Sequence, residues 1–385
     1  MAHFAHHLIN ALPVPLLPMI RNDFSLDYTQ SGFVISAFSL AYGIAQLPAG
    51  WLTDRTGPRL MITIGICGVA AAGLFVGLSL NYFMLIAFLI LMGLLGGGYH
   101  PSAPSLISAS VEPKKRGRSL GFHMIGGSAS FFLAPLIAAA IAATWDWRGA
   151  FIGLAVPAII FGFIFFVRMG HLKPTRQSEP KINITYTEKP PAPGRLRRLA
   201  VFITLSTTTQ AMVLAVTAFI PLFLVDHFGA AEETAAALIS LIYVAGFWAG
   251  PLGGYLSDRW GRIPVLLTVC FMAGPFIYLL NLAPYGVGFG SLLVAMGIVQ
   301  YVRMPVSEAY IIDHTSERNR STIFGIYYFG SLEGSGVLTP ILGYLIDRFG
   351  FYSSFTIVGA ATLAITTACA ILLRDSRDKP KATQL

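Results

Sequence analysis

Gly50-Trp51-Leu52-Thr53-Asp54-Arg55-Thr56-Gly57-Pro58-Arg59 lies between two long apolar runs, and it returns as Gly254-Tyr255-Leu256-Ser257-Asp258-Arg259-Trp260-Gly261-Arg262. The offset is 204 residues, and it also pairs Pro101 with Pro305, Arg116 with Arg320, Gly121 with Gly325, Gly126 with Gly330 and Phe151 with Phe355. Identities that share one offset along a whole chain mark an internal duplication. Each copy is a charged, glycine-punctuated connection, which reads as a tight turn between two membrane helices. The rest of the chain falls into two halves around this pair.

Composition points the same way. Of the 385 residues, 55% are hydrophobic and 11% charged, with mean hydropathy +0.68. Soluble domains carry about 25% charged residues, and this much apolar sequence suits a protein whose solvent is lipid. The net charge of +8 is not spread as a basic stripe among stacking aromatics, so nucleic acid is not an expected partner. Cys67, Cys270 and Cys369 sit far apart inside apolar runs, with neither disulfide nor metal-ligand spacing. The first apolar run has no basic leader region and continues into a multi-span pattern, so no cleaved signal peptide is expected.

A helix needs roughly 20 apolar residues to cross a bilayer. Twelve segments qualify: 4–20, 29–52, 60–80, 83–110, 118–143, 148–169, 197–225, 233–256, 263–282, 286–311, 321–346 and 351–373. Residues 170–196 carry five prolines and many polar groups, and read as a linker. The expected organisation is a six-helix bundle over 1–169, the linker, a second six-helix bundle over 197–374 and a tail over 375–385. This is an all-α polytopic membrane protein of twelve transmembrane helices. Its bundles are expected to be related by a pseudo-two-fold axis along the membrane normal. With residue 1 in the cytoplasm, 22 of the 26 Lys and Arg fall in cytoplasmic connections, and only Arg21, Arg148 and Arg348 fall outside. That asymmetry puts both termini in the cytoplasm of a multi-pass inner or plasma membrane protein.

The paired G-x-L-x-D-R-x-G stretches, each following the second helix of a six-helix half, resemble the signature loop of the major facilitator superfamily. The resemblance covers essentially the whole chain. It implies a transporter that probes its two sides alternately, mostly as a monomer, with this loop acting as a conformational latch. The latch residues are then Gly50, Asp54, Arg55, Gly57 and Arg59, and Gly254, Asp258, Arg259, Gly261 and Arg262. Gly50 and Gly254 are expected to let helices approach closely, Gly57 and Gly261 to make the turn, and the aspartates to meet a helix N-terminus or an Arg. A narrower similarity, to the fosmidomycin-resistance branch, rests on Gly96-Gly97-Gly98-Tyr99-His100-Pro101, Gly126-Gly127 and Ala134-Pro135-Leu136. Residues 83–98 lack the charged group that many proton-coupled members carry in the fourth helix.

Ionisable groups inside hydrocarbon are costly and mark pathways or pairs. Arg303 in the tenth span and Glu333 in the eleventh differ in depth by roughly 6 Å, close enough for a static ion pair. The functional reading makes Arg303 a contact for an anionic solute and Glu333 a titratable proton carrier. His100 falls almost at the position of Arg303 in the other half and titrates near neutrality. Tyr42, Gln210, Tyr301 and Tyr327 join these as candidate lining residues, followed by Gln46, Thr208, Tyr243 and Tyr328. Glu308 is placed nearer the inner boundary, with loop arginines as partners, and His123 nearer the cytoplasmic edge. His3 and His7 share a helical face, but no carboxylate or Cys beside them completes a metal site, so no metal is expected. His6 or His7, with Asn10, is read as part of the cavity or of its cytoplasmic mouth.

No phosphate loop, HExxH or GxSxG is present, so neither an ATP-driven pump nor an enzyme of those classes is indicated. No cofactor is expected. The partners are a small solute, protons and the bilayer. The reading is secondary active transport of a small amphipathic or anionic organic solute by alternating access, as proton-coupled export. Uptake or exchange of a small organic anion is the alternative. A non-transporting sensor is a second alternative, which would place a soluble domain where the linker and tail are short and polar.

Overall fold

The computed structural model describes residues 1–112, 115–170, 194–315 and 317–375. Most of the expected linker and almost all of the expected tail lie outside these residues. Among the described residues every regular element is helical.

Helix ends follow local chemistry. The second span, Tyr28–Thr56, starts at an Asp27–Gln30 capping box. It stops at Gly57, whose φ of +87° favours a residue without Cβ, and Pro58 opens the third span, Pro58–Gly77. The duplicate turn repeats this, with Gly261 at φ +93° between Ala249–Trp260 and Arg262–Leu279. The expected turn role of both glycines is therefore what the backbone shows.

Three spans are broken where continuous helices were expected. The first runs as Ala2–Asn10 and Leu17–Phe24, because Pro13 and Pro15 between them remove backbone donors. The fourth divides at Gly97 and Gly98 into Tyr82–Gly96 and Tyr99–Ser110. The eighth proceeds from Glu232 through short helical pieces and bends by 41° before Ala249–Trp260. The fifth and sixth spans are the limbs 116–144 and 147–170, separated by non-helical Trp145 and Asp146. The seventh is Arg195–Phe228 and the tenth Val287–His314. The eleventh contains a π turn, Phe329–Glu333, between Glu317–Tyr328 and 334–349, and Gly350 at φ +72° separates it from the twelfth. Among the described residues eight helices are long and apolar enough to cross a membrane, nine with the bent eighth span, and splitting two of them at Trp145–Asp146 and at Gly350 gives eleven, to which the broken first span adds its two short pieces.

Lipid gives apolar faces no reason to associate, so small residues set the contacts. A Cβ on Gly93 would lie 2.5 Å from the Phe38 carbonyl oxygen, and one on Gly97 2.6 Å from the Ala45 Cβ, so the fourth span lies directly on the second. The duplicated half repeats the contact at the same offset: a Cβ on Gly297 would lie 2.0 Å from the Ile242 carbonyl oxygen.

The halves meet along two antiparallel pairs of spans. The second packs on the eleventh, where a Cβ on Gly32 would lie 2.7 Å from Pro340 Cα and one on Gly343 2.2 Å from the Tyr28 carbonyl oxygen. The fifth meets the eighth through Phe131 and Tyr243, whose rings are 5.3 Å apart. Polar contacts between halves gather at the end opposite the paired basic loops. Asp347 accepts the Tyr28 and Thr29 N–H groups at 3.0 and 2.9 Å, capping the second helix from the other half. Asp226 accepts from Arg21 and, at 2.7 Å, from the Tyr28 hydroxyl, while Asn22 donates to Glu232.

At the basic end the picture reverses. No atom lies within 4 Å of a Cβ built on Gly50, Gly121, Gly254 or Gly325. The close approach expected at Gly50 and Gly254 is therefore absent among the described residues.

The glycine contacts yield a stability test. Gly93→Leu drives a side chain into the second span, and overpacking of this kind costs about 1–3 kcal/mol. The purified protein should melt at a lower temperature, whereas Gly153→Ala, at a position with no atom within 4 Å of its Cβ, should leave the melting curve in place. Equal melting of both variants would contradict this packing.

Candidate functional site

Arg303 is buried, 3% exposed, inside the second half. Its Nε–H donates to Gln210 Oε1 at 3.0 Å, and its Nη1 donates to the Ser206 carbonyl at 3.2 Å, to Ser206 Oγ at 2.5 Å and to the Tyr327 hydroxyl at 3.1 Å. The seventh, tenth and eleventh spans thus converge on one guanidinium. Gln210 and Tyr327, named from sequence, are brought to it. Ser206 was missed, although its i, i+4 spacing from Gln210 on one helical face was legible. Tyr301 is not brought there. Two residues along a helix is more than half a turn, and Tyr301 packs on the eighth span, where a Cβ on Gly246 would lie 2.7 Å from its Cζ. These hydrogen-bond partners of Arg303 are all neutral. Glu308 lies in its field, and a Glu308 oxygen accepts the Tyr328 hydroxyl at 2.8 Å; the side chains of Arg318 and Arg320, among the loop arginines expected to pair with it, lie outside the described residues.

Glu333 does not pair with Arg303. Among the described residues the ion pairs are Arg21–Asp226, Lys115–Glu112, Arg148–Asp23, and Arg262 with Asp258 and Asp313. The side chain of Glu333, 3% exposed, points instead to the other half. A Cβ on Gly43 would fall 2.0 Å from its Cγ and 2.6 Å from its Oε1, so Gly43 forms a notch that holds the carboxylate against the second span. Glu333 ends the π turn. Tyr327 faces Arg303, and six residues on, even an unbroken α-helix would set Glu333 on a different face of the eleventh span.

In the first half, histidines scattered through the sequence converge. His6 Nδ1 donates to the Gly65 carbonyl at 3.0 Å, and its Nε2 accepts from the Tyr42 hydroxyl at 3.0 Å and from Asn10 at 3.2 Å. Its ring stacks on Tyr99 at 4.2 Å. His3 stacks on His123 at 4.1 Å, and His100 lies 5.1 Å from His7 between ring centroids. Tyr42 and His100 therefore belong to one buried cluster with the first span, and the break at Gly97 and Gly98 positions His100 in it. His6 and His7 are buried in this cluster; they do not line an exposed mouth.

Among the described residues, the contacts given for the latch candidates lie within their own halves. Arg262 binds Asp258 at 2.5 Å, Ser257 Oγ at 2.6 Å and Asp313 at 3.6 Å. Arg59 Nε donates to the Phe166 carbonyl at 2.8 Å, and Arg55 lies 3.9 Å over the Trp51 ring. Asp54 and Arg259 are exposed. The cysteines are free thiols, as their spacing implied. A cleft of about 530 Å³ runs between the fifth and eighth spans, lined by Phe132, Leu136, Leu238 and Leu241 among others, and no predicted site residue lines it.

Two six-helix halves, joined at one end and parted at the other, with polar groups held at mid-depth, define a polytopic membrane transporter and not an enzyme. Residues 1–295 and 211–384 match the Major Facilitator Superfamily, and the chain belongs to that family. It is 23% identical to a hexuronate transporter of Bacillus subtilis (strain 168), over 95% of this chain and 91% of that protein. It is 25% identical to the multidrug resistance protein MdtG of Escherichia coli O17:K52:H18 (strain UMN026 / ExPEC), over 86% of this chain and 82% of that protein. Its fold matches the crystal structure of a bacterial homologue of the human lysosomal transporter Spinster, in an inward-facing and unoccupied conformation. The TM-score is 0.78 at 19% identity, covering 98% of this chain and 97% of that one.

The Gly43 notch is open to a double-mutant test. Gly43→Ala should lower the melting temperature, because the new methyl overlaps Glu333. Adding Glu333→Ala should restore most of the loss by removing the overlap. Additive destabilisation in the double variant would show that the two positions do not meet.

Proposed function

We propose that this chain is a secondary active transporter that moves a small amphipathic or anionic organic solute across the inner or plasma membrane, exporting it in exchange for protons. The observation that carries the reading is the Glu333 carboxylate, lodged in a notch of the opposite half at mid-depth. A group in that position reports its charge directly to the contact that must part when the halves rock. Protonation removes a charge from the interface, and ionisation restores it, so proton binding and conformation are linked. Arg303 serves the solute: a guanidinium held by neutral partners retains its charge for an anionic group. His100, in its buried imidazole cluster, is a second proton-handling group.

The basic end is cytoplasmic, with both termini, and the conformation is then inward-facing: Gly50, Gly121, Gly254 and Gly325 are uncovered while the Asp347 and Asp226 contacts close the other side. The paired loops are the latch for the alternate state. Gly50 would pack opposite the Gly325–Ile326 step, in the antiparallel register already set by Leu40 on Gly336 and Gly43 on Glu333. The molecule works as a monomer. Export is supported by the likeness to MdtG and by the residues shared with the fosmidomycin-resistance branch. A second reading, uptake of a small organic anion, is favoured by Arg303 and its neutral partners together with the likeness to a hexuronate transporter.

Proteoliposomes separate these readings. The solute is first found by thermal-shift screening of the purified protein at two pH values, since a ligand that binds the folded state raises its melting point. Glu333→Gln should then abolish transport driven by a pH gradient while leaving counterflow exchange. Arg303→Lys should weaken solute binding, because a point charge cannot reproduce the guanidinium fork. Unchanged gradient dependence in Glu333→Gln would overturn the proton reading, and unchanged binding in Arg303→Lys would overturn the anion contact.

A further inference from the structure

The geometry points to a metal site in the imidazole cluster, one that shares His100 with the proposed proton route: His3, His7 and His100 form a three-imidazole site for a divalent transition ion of the zinc, cobalt or nickel class. Sequence places His3 and His7 one turn apart on one helical face, with no third ligand nearby. The fold supplies it. The new helix that starts at Tyr99 carries His100 over the first span, and the ligand nitrogens of the three residues all lie within 4.8 Å of one another. The ring centroids stand 4.8 Å apart for His3 and His7, 5.5 Å for His3 and His100 and 5.1 Å for His7 and His100.

The hydrogen bonding of the cluster leaves donor atoms unused. His3 Nδ1 is 2.8 Å from the His123 carbonyl. A carbonyl only accepts, so that nitrogen carries the proton and Nε2 carries a lone pair. This Nε2 is buried and has no hydrogen-bond partner. A metal-bound histidine has this arrangement: one ring N–H is held by a carbonyl and the other nitrogen coordinates. His7 Nδ1 is also buried without a partner, and the two residues are 4% and 7% exposed. Buried polar atoms without partners are rare and call for a reason. Here two of them lie one helical turn apart, beside the third imidazole.

Distances and chemistry fit a tetrahedral ion. Zinc holds nitrogens at about 2.0–2.1 Å, which sets ligand atoms roughly 3.4 Å apart, so the three rings need to close by ~1.4 Å or less through side-chain rotation. Gly127 leaves room for His3, since a Cβ there would lie 2.5 Å from the ring. The group contains no carboxylate, which disfavours magnesium and calcium, whereas neutral imidazoles suit zinc and its neighbours. His100 is partly exposed, unlike His3 and His7, and three protein ligands leave one position of a tetrahedral ion for water. None of this depends on the direction of transport or on the solute.

The test uses the full chain, purified in detergent without a polyhistidine tag. Cobalt(II) is titrated while the ligand-field absorption is followed, and zinc binding is measured by calorimetry. One ion per chain should bind, with a tetrahedral cobalt spectrum. His7→Ala and His100→Ala should each weaken binding at least about tenfold, while His227→Ala and His314→Ala should leave it unchanged. Size-exclusion profiles check folding, and the partly exposed His100 provides the milder variant should His7→Ala fail to fold. Absence of cobalt and zinc binding in the unaltered protein, or tight binding that survives loss of His100, would overturn the site.

Discussion

The carboxylate of Asp347, in the second half, caps the first turn of the second helix in the first half. Helix N-termini present unpaired N–H groups, and a cap is ordinarily supplied by the residue just before the helix. The second helix has such a cap in Asp27 and takes another from across the interface. Together with Asp226, bonded to Arg21 and Tyr28, this contact ties the halves at one end. The shape of the molecule depends on where the tie sits. With that end fixed, the second and eleventh spans stay packed through Gly32, Gly336 and Gly43, and they part where Gly50 and Gly325 would otherwise meet.

The two halves share a scaffold but not a chemistry. Gly93 and Gly297 occupy equivalent positions and press the fourth and tenth spans onto the second and eighth. One residue off the offset that aligns these glycines, the imidazole of His100 in one half stands against the guanidinium of Arg303 in the other. His100 sits among histidines and tyrosines, while Arg303 is held by Ser206, Gln210 and Tyr327. The duplication thus preserved packing, which depends on backbone approach, and allowed the polar groups at mid-depth to diverge. Glu333 belongs to neither set. It ends the π turn, and its carboxylate lies in the Gly43 notch of the other half.

Much of the fold was legible because membranes leave few solutions. Apolar length, the repeated loop and Lys/Arg placement give twelve spans and two halves, and the turns at Gly57 and Gly261 come from residue type. What escaped is what depends on the rotation and breakage of helices. Pro13 and Pro15 announced a break, and so did Pro251, whose ring meets the carbonyl of Phe247 where the eighth span bends by 41°. The static ion pair weighed for Arg303 and Glu333 came from their similar depth, and depth carries no word on which face of the eleventh span Glu333 takes. The cross-half caps at Asp347 and Asp226 were invisible because residues roughly 200–320 apart meet only after the halves assemble. The histidines were legible singly, and their convergence was not, since it needs the break in the fourth span.

The tie at one end holds the other end apart, and a distance measurement reads this directly. Spin labels at Trp51→Cys and Ile326→Cys, in a chain whose native cysteines are replaced, would report the separation of the second and eleventh spans at the basic end in lipid nanodiscs by pulsed electron resonance. Neutralising the tie with Asp226→Asn and Asp347→Asn should shift the distance distribution toward shorter separations, as the loops close over Gly50 and Gly325. A distribution that stays in place, or moves to longer distances, would contradict the account.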